Sequence, residues 1–468
     1  MIKKVNDALF NTHVIPSDWR YSAAIVGLEK YLYNQNLEYE IKDEYFAFNQ
    51  EDITRERFLE FAEEYYSLSF PHKRLEIQLR KDEFSQEEKK QINELLKSNA
   101  IMKKIFGKIK FDGDNKVEIL ECIRKNRLIL TQETFRNKSD MYADFANPNL
   151  LFEEKRDCCR LWGYYIDGAR KSKNLSFAFR TESFASEDCQ LFDFIPFAFC
   201  GERESLFIND NYSVKQLIDT NQQLIDKLRE EKEKKPDKYQ TARKILFKSI
   251  QESSAFIDYD VEVMTKNRNR DFFETLYIRK RSIDILSELE VYEPFCFSVQ
   301  LGKEYYLDVQ KEVMDCILNL KDADELIEFF LKRDSEYLVS LLIKLNLLIK
   351  ESGKTMTKGM NVAYACAKKV AERLPENKRK SYRQRLTSSL ALKDYSAFLD
   401  ILAQLSNYTD IQFDFVYDLF ENFEDNKELA YTFANAMTKK SKVQDKQTGG
   451  KENESESFDN YNSSQYDI

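Results

Sequence analysis

An α+β body followed by an all-helical C-terminal bundle is the architecture this sequence predicts. Up to about residue 350, aromatic and β-branched runs are interleaved with helical stretches, whereas from 353 to 440 every apolar stripe recurs at three or four residues. Only 11 Gly and 7 Pro punctuate 468 residues of 42% hydrophobic content, which disfavours a loop-built β-sandwich. A chain of this length divides into about two or three domains. The boundaries read from composition are a body over 1–350, a bundle over 353–440 and a tail over 441–468. The tail is rich in Gly, Ser, Asn, Glu and Asp with few apolar anchors, so disorder is expected there.

In the body, Pro16-Ser17-Asp18 introduces a buried helix over Tyr21 to Tyr33, whose small residues Ser22, Ala23, Ala24 and Gly27 allow another backbone to come close. The stretch Ile101 to Ile119, broken by Asp112-Gly113-Asp114-Asn115, reads as a β-hairpin. From Leu175 to Ile208, Phe177, Phe179, Phe192, Phe194, Phe197 and Phe199 alternate in the manner of a sheet. Leu217, Ile218, Leu224, Ile225 and Leu228 then recur at helical spacing, and a break at Pro236 suggests a projecting helical hairpin near 214–256. Residues Phe256 to Leu286 return to strand character, and Asp308 to Lys350 is helical again.

The bundle carries four stripes: Val362, Cys366, Val370 and Leu374; Tyr382, Leu386 and Leu390; Phe398, Leu402 and Leu405; and Leu429, Phe433 and Met437. Pro375 separates the first two. Arg379 and Arg383 are expected opposite the second stripe, facing outward.

Several chemistries are disfavoured. Two histidines, His13 and His72, limit acid–base and metal chemistry at neutral pH, and no His-Asp pair, His-Glu-x-x-His motif or nucleophile elbow is present. Gly353-Lys354-Thr355 resembles part of a phosphate loop, but Leu348 stands where its first glycine is required and a helix, not a strand, precedes it. Asp112-Gly113-Asp114 fits turn chemistry better than a metal site. Scattered carboxylates form no compact nuclease motif. The expectation is a non-enzyme without metal or cofactor. Met1-Ile-Lys-Lys opens no signal peptide, and the apolar run Tyr337 to Ile349 is short and interrupted by Lys344, so a cytoplasmic protein away from membranes is expected. The eight cysteines (Cys122, Cys158, Cys159, Cys189, Cys200, Cys296, Cys316 and Cys366) are scattered and expected to be reduced thiols.

Charge is the most directional signal. The whole chain carries −9, yet between Lys354 and Lys393 eleven cations face two anions, Glu372 and Glu376, a local excess of nine positive charges. Clustered Lys and Arg are rewarded by counterion release on a polyanion, so Lys368, Lys369, Arg373, Lys378, Arg379, Lys380, Arg383 and Arg385 are candidate nucleic-acid contacts. Arg379, Lys380 and Arg383 are the cations expected to grip an unwound strand. In the body, Lys103, Lys104, Lys108 and Lys110, Arg170-Lys171-Ser172-Lys173-Asn174 and Lys266-Asn267-Arg268-Asn269-Arg270 are candidate duplex-contacting clusters, since Lys, Arg and Asn reach phosphates and the minor groove. The same charges also fit a protein–protein scaffold or adaptor whose basic helices dock on an acidic partner.

Tyr382-Arg383, Leu390, Phe398-Leu399-Asp400-Ile401-Leu402 and Ala430-Tyr431-Thr432-Phe433-Ala434-Asn435-Ala436-Met437 resemble, in order, the end of the large subunit of type I CRISPR surveillance complexes (Cascade), subtype I-B. Ala430 and Ala436 replace two glycines of that family's last block. Trp19-Arg20-Tyr21-Ser22-Ala23-Ala24-Ile25-Val26-Gly27-Leu28 is similar to a small-residue helix near its N-terminus. The branch often carries two Cys-x-x-Cys pairs; here Cys159-Arg160-Leu161-Trp162-Gly163 places Trp where the second Cys would fall, so Cys158, Cys159, Cys189 and Cys200 are expected to be inert thiols and not a zinc site.

The resemblance implies a large subunit without catalytic role that reads a protospacer-adjacent motif and helps open the target duplex. Its terminal bundle, similar to the small subunit, would hold the displaced strand. Implied partners are target double-stranded DNA, the displaced single strand, guide RNA within the complex, other Cascade subunits and a helicase-nuclease recruited after target binding. Relatives can make the small subunit from an internal start, for which Met356 and Met360 are positioned here.

Overall fold

The computed structural model describes residues 1–5, 9–154, 160–163, 188–210, 212–234, 242–253, 259–268, 270–289, 293–303, 305–350 and 353–437. The chain forms two compact units, Met1–Lys321 and Asp322–Ile468. The first is α+β and the second, where described, is helical.

The N-terminal unit opens with a four-stranded antiparallel sheet made of β1 (Ile2–Lys4), β2 (Thr12–Val14), β3 (Tyr39–Ile41) and β4 (Phe46–Phe48), in the order β1-β2-β4-β3. Helix α1 (Trp19–Asn34) starts where Asp18 accepts from the Arg20 amide at 2.8 Å, an N-cap that satisfies one of the orphan donors of the first turn. Its Ser22-Ala23-Ala24 and Gly27 face is buried against Gln190–Phe194 and helix α8 (Ile195–Ala198). A Cβ at Gly27 would lie 2.0 Å from the Phe194 carbonyl oxygen, so the predicted close backbone approach is present.

Between them in sequence come α2 (Arg55–Tyr66), α3 (Pro71–Gln78), α4 (Gln86–Leu95), α5 (Ala100–Phe106), α6 (Lys116–Asn137) and α7 (Tyr142–Phe145). The expected hairpin over Ile101 to Ile119 is therefore helix, turn and helix. Asn99 caps α5 by accepting from the Met102 amide at 2.9 Å, and Gly107, at φ +52°, ends it. Asn93 on α4 then bonds both the N–H and the C=O of Phe111, at 2.9 and 3.0 Å. A side-chain amide thus supplies the partners a neighbouring strand would have given. Asp112 accepts from the Asp114 and Asn115 amides, which is the turn chemistry expected.

The phenylalanine run also departs from expectation. Phe192 and Phe194 lie in a 3₁₀ segment, Phe197 on α8 and Phe199 just beyond, while Phe177 and Phe179 fall outside the described residues. Residues 191–199 are buried without interruption, so their alternation distinguishes no exposed face. Buried Arg160 anchors this segment, pairing with Asp193 at 2.6 Å and Asp188 at 3.1 Å, while the Tyr142 hydroxyl donates to Asp193 at 2.6 Å.

The strand signal is real further on. β5 (Glu204–Asn209), β6 (Val261–Asn267) and β7 (Phe273–Ile278) form an antiparallel sheet in that order. Helices α9 (Val214–Lys234) and α10 (Ala242–Ser253) lie between the first two in sequence. The first half of α9 packs on the sheet: Leu217, Asn221 and Leu224 are buried, and the Asn221 amide bonds both the N–H and the C=O of Ile208 on the edge strand, at 2.9 and 2.8 Å. The unit closes with α11 (Lys280–Leu289), the small hairpin β8 (Ser298–Gln300) and β9 (Tyr306–Asp308), and α12 (Val309–Asn319).

The C-terminal unit comprises α13 (Asp324–Leu331), α14 (Glu336–Ile349), α15 (Gly353–Arg373), α16 (Glu376–Ala391), α17 (Tyr395–Thr409), α18 (Val416–Glu421) and α19 (Phe423–Ala436). It takes in α13 and α14, which composition had placed with the body. A polar network ties them to the last helix. Buried Asn346 accepts from the Ala323 amide at 2.7 Å and donates to Asp324 at 2.9 Å. Lys427 reaches Asp322 at 3.0 Å and Lys350 reaches the fully buried Glu428 at 2.7 Å. Breaking this network would strand a buried carboxylate, so the helices fold together. Phe398, Leu402, Leu405, Leu429, Phe433 and Met437 are all in the core.

Candidate nucleic-acid interface

The structure sorts the basic residues of 354–393 into those that hold the fold and those that face solvent. Arg383 belongs to the first group. Its side chain is 12% exposed, pairs with Asp334, and donates to the carbonyls of Ala434 and Leu331, each at 3.3 Å. Arg379 is half-buried and donates to the Ala371 carbonyl. The expectation that Arg379 and Arg383 face away from the apolar stripe is thus corrected: at three- and four-residue steps they share one stripe with Leu386 and Leu390. Arg373 donates to the Thr409 and Asp410 carbonyls and so caps the C-terminus of α17. Lys368 pairs with Glu336 at 3.1 Å and Lys380 with Glu376 at 3.7 Å.

Lys380 is nonetheless 78% exposed, and among the solvent-facing cations Lys378 and Arg385 form a strip across α16 and α17. Lys378, Tyr382 and Arg385 fall at i, i+4 and i+7 on α16 and meet Tyr408 and Gln404, one turn apart on α17. The Lys378 ammonium lies 4.2 Å from the Tyr408 ring centroid and 3.0 Å from its hydroxyl. The Arg385 guanidinium sits 5.5 Å from the Tyr382 ring and reaches Gln404 at 3.4 Å. Tyr408 is 49% exposed, which leaves ring surface for a flat partner. Two cations, two aromatic rings and an amide on rigid helices form the composition that single-stranded nucleic acid uses, with phosphates on the cations and bases on the rings. Exposed Lys369 lies on α15 outside this strip.

In the N-terminal unit, Lys103, Lys104, Lys108 and Lys110 are all exposed, on the end of α5 and the loop after it. Lys266 is 1% exposed and is removed from the candidate surface. Its ammonium pairs with Asp144 at 3.1 Å and donates to the Asn267 and Arg270 carbonyls, because the loop after β6 folds back over it. Asn267 is half-buried; Arg268 is exposed and donates to the Glu202 carbonyl; Arg270 pairs with Glu274. Asn269, Arg170, Lys171 and Lys173 lie outside the described residues.

Sequence reasoning missed Tyr408 and Gln404, which no charge count selects, and took Tyr382 only as part of an apolar stripe. It also missed the β8–β9 hairpin, where Tyr305 and Tyr306 are 75% and 60% exposed after the turn residues Gly302-Lys303. Adjacent exposed tyrosines beside a Gly-Lys turn were the available signal.

A sequence profile of the CRISPR-associated protein Csx8 family matches residues 10–437, which spans both units. The chain belongs to the Csx8 family. As a CRISPR-associated protein it functions in antiviral defence alongside other CRISPR components. No curated protein and no solved structure matches the chain.

Among the described residues of this Csx8 member, no three of His, Cys, Asp and Glu converge to hold a metal ion, and no helix is long and apolar enough to cross a membrane. Cys158 and Cys159 lie outside the described residues. Burial pushes the thiols of Cys189 and Cys200 up to about 12, so neither is a thiolate at neutral pH.

Proposed function

We propose that this Csx8 protein is a non-catalytic large subunit of an RNA-guided type I complex. In this reading it recognises the protospacer-adjacent motif and target duplex through its N-terminal unit, and holds the displaced strand on its C-terminal unit. One observation carries the strand-holding role: the Lys378–Tyr408 and Arg385–Tyr382–Gln404 strip, which offers charge and ring faces side by side. Such a surface suits a strand of any sequence, with target sequence read by guide pairing. For the duplex, the exposed lysines 103, 104, 108 and 110 offer phosphate contacts, and Tyr305 and Tyr306 offer apolar surface at a hairpin tip.

Fluorescence anisotropy with a labelled oligothymidylate tests the strip on the full chain. Each phosphate contact contributes roughly 0.7 to the slope of log affinity against log salt for single strands. Lys378→Ala with Arg385→Ala should therefore flatten the slope by about 1.4. Tyr408→Ala should cost about 1–3 kcal/mol with little change of slope, as loss of one stacked base would. Unchanged affinity and slope in all three would remove the reading. Retention of an acidic protein partner through the same residues, with no effect on DNA, would favour the adaptor alternative.

A further inference from the structure

A cleft of about 1000 Å³ opens in the N-terminal unit between one end of the β5–β6–β7 sheet and helices α9 and α10. Its charge is opposite to that of the strip. Asp43, Asp210, Asp219, Asp260 and Glu262 line it, against Lys215 and Lys227. Asp210 is 4% exposed and accepts from the Tyr212 amide and the Thr220 and Tyr259 hydroxyls, whereas Asp43, Asp219 and Asp260 are exposed. Tyr277 and the Lys280 amide both donate to Asp260 at 2.7 Å, which holds its carboxyl below the usual range and keeps it ionised.

A second observation specifies what the cleft lacks. Asn209, Glu262 and Tyr277 form one cross-strand row, and Asn209 donates its Nδ2 to Glu262. That bond fixes the amide orientation. Asn209 is 5% exposed, lines the cleft, and its acceptor oxygen Oδ1 has no partner among the described residues. A buried acceptor left unpaired costs about 1–3 kcal/mol, which an N–H or O–H donor entering the cleft would offset. Tyr212, 79% exposed, and Tyr277, 53% exposed, add ring faces beside the carboxylates.

We propose that this cleft is a docking socket for a lysine- and arginine-bearing segment of a partner polypeptide. Carboxylates answer its charge, tyrosine faces its guanidinium planes, and the Asn209 oxygen one of its N–H donors. Phosphate ligands are repelled by five carboxylates. The acids come from the turn after β3, the ends of β5 and β6, and α9, and no three converge as a metal shell, so the arrangement suits an extended cation rather than a point charge. The volume sits at the upper end of small-molecule sites, with room for several side chains. This inference does not depend on the strand-binding reading, which uses the other unit.

The test uses the full chain and a fluorescein-labelled peptide alternating Arg and Lys with Ser and Gly, read by anisotropy at physiological salt. Asp219→Asn with Glu262→Gln should weaken binding roughly ten-fold, as loss of interfacial charge partners does. Tyr212→Leu, which keeps every charge, should weaken it about three-fold. Glu60→Gln with Glu94→Gln, exposed acids elsewhere on the same unit, should leave it unchanged. Equal affinities for the cleft and control variants would overturn the proposal, since binding would then follow overall charge. So would spermidine binding as tightly as the peptide with the same dependence on Asp219 and Glu262. Tryptophan-monitored unfolding of the Asp219→Asn single variant, exposed on α9, confirms that loss of binding is not loss of fold.

Discussion

Replacing Gly27 with Ala sets two physical effects against each other and makes the sign of the answer diagnostic. Gly27 lies inside α1, where Ala is favoured over Gly by about 1 kcal/mol, so helix propensity alone predicts stabilisation. The packing predicts the reverse. The new Cβ would sit 2.0 Å from the Phe194 carbonyl oxygen and 2.8 Å from its carbon, both backbone atoms. Relief requires α1 and the 190–198 segment to part by roughly 1 Å or more, because carbon contacts settle near 3.5–4 Å. That segment is held by the buried Arg160–Asp193 pair, so the cost belongs at the upper end of overpacking, about 3 kcal/mol. The net loss is about 2 kcal/mol. Trp19 and Trp162 are the chain's only tryptophans and both lie in the N-terminal unit, so their fluorescence reports this unit alone. With a urea dependence of about 2–3 kcal/mol per molar, the midpoint should fall by roughly 0.7–1 M. A midpoint that rises would refute the close-approach argument. Gly359→Ala is the contrast: its Cβ meets only the end of the Leu429 side chain, at 3.1 Å, which can move aside, so that variant should be neutral or more stable.

Other expectations follow from residues given structural roles above. Arg383→Ala should destabilise the C-terminal unit by about 1–2 kcal/mol in thermal unfolding by circular dichroism, mainly through its two carbonyl bonds, because exposed Asp334 screens the ion pair; Lys378→Ala should stay within about 0.5 kcal/mol. Equal effects of the two would contradict the division of the cations. Asn93→Leu should cost about 2 kcal/mol or more by leaving the Phe111 backbone without partners, whereas a wild-type melt would show that water replaces the amide. For Glu63, burial opposes ionisation, but hydrogen bonds from His72 and Arg127 and their charges prevail and hold its carboxyl at about 2, below the ordinary 4.5. A depressed folded pKa gives stability that is present above the unfolded value and lost as pH falls from about 4.5 toward 2. The stability deficit of Glu63→Gln at pH 7 should therefore shrink in urea titrations at pH 3, and a deficit independent of pH would argue against the assignment.

Where local chemistry and tertiary packing agree, the fold is legible in the sequence. Pro16-Ser17-Asp18 followed by small residues announces both the start of α1 and the close approach at Gly27, because an N-cap and the absence of a side chain act over a few ångströms. The helical stripe of Phe398, Leu402 and Leu405 is equally readable, since α17 has one wet face. Alternation misleads in the phenylalanine run. Residues 191–199 are buried throughout, so alternating phenylalanines carry no information about which way the backbone turns. It fails again at Phe111, where strand-like hydrogen bonds come from Asn93, eighteen residues earlier on another helix, a partner that no local window contains.

The nucleic-acid strip shows the same limit in electrostatic form. A run of eleven cations has one net charge whichever way its side chains point, yet the structure uses Arg373, Arg379 and Arg383 to satisfy backbone carbonyls and Lys368 to pair with Glu336. Helical phase contained part of this answer. Arg379 and Arg383 precede Leu386 and Leu390 on one stripe, and a long cation in register with core leucines must find acceptors at the edge of the core. Lys378 and Arg385 lie a quarter-turn or more from that stripe and keep their charge at the surface, next to Tyr408 and Gln404 from α17. What makes the strip a candidate binding surface is therefore the pairing of two helices, and that pairing is set by Leu386, Leu390, Phe398 and Leu402 in the core beneath it. Charge supplies the attraction, but packing decides which charges remain available to exert it.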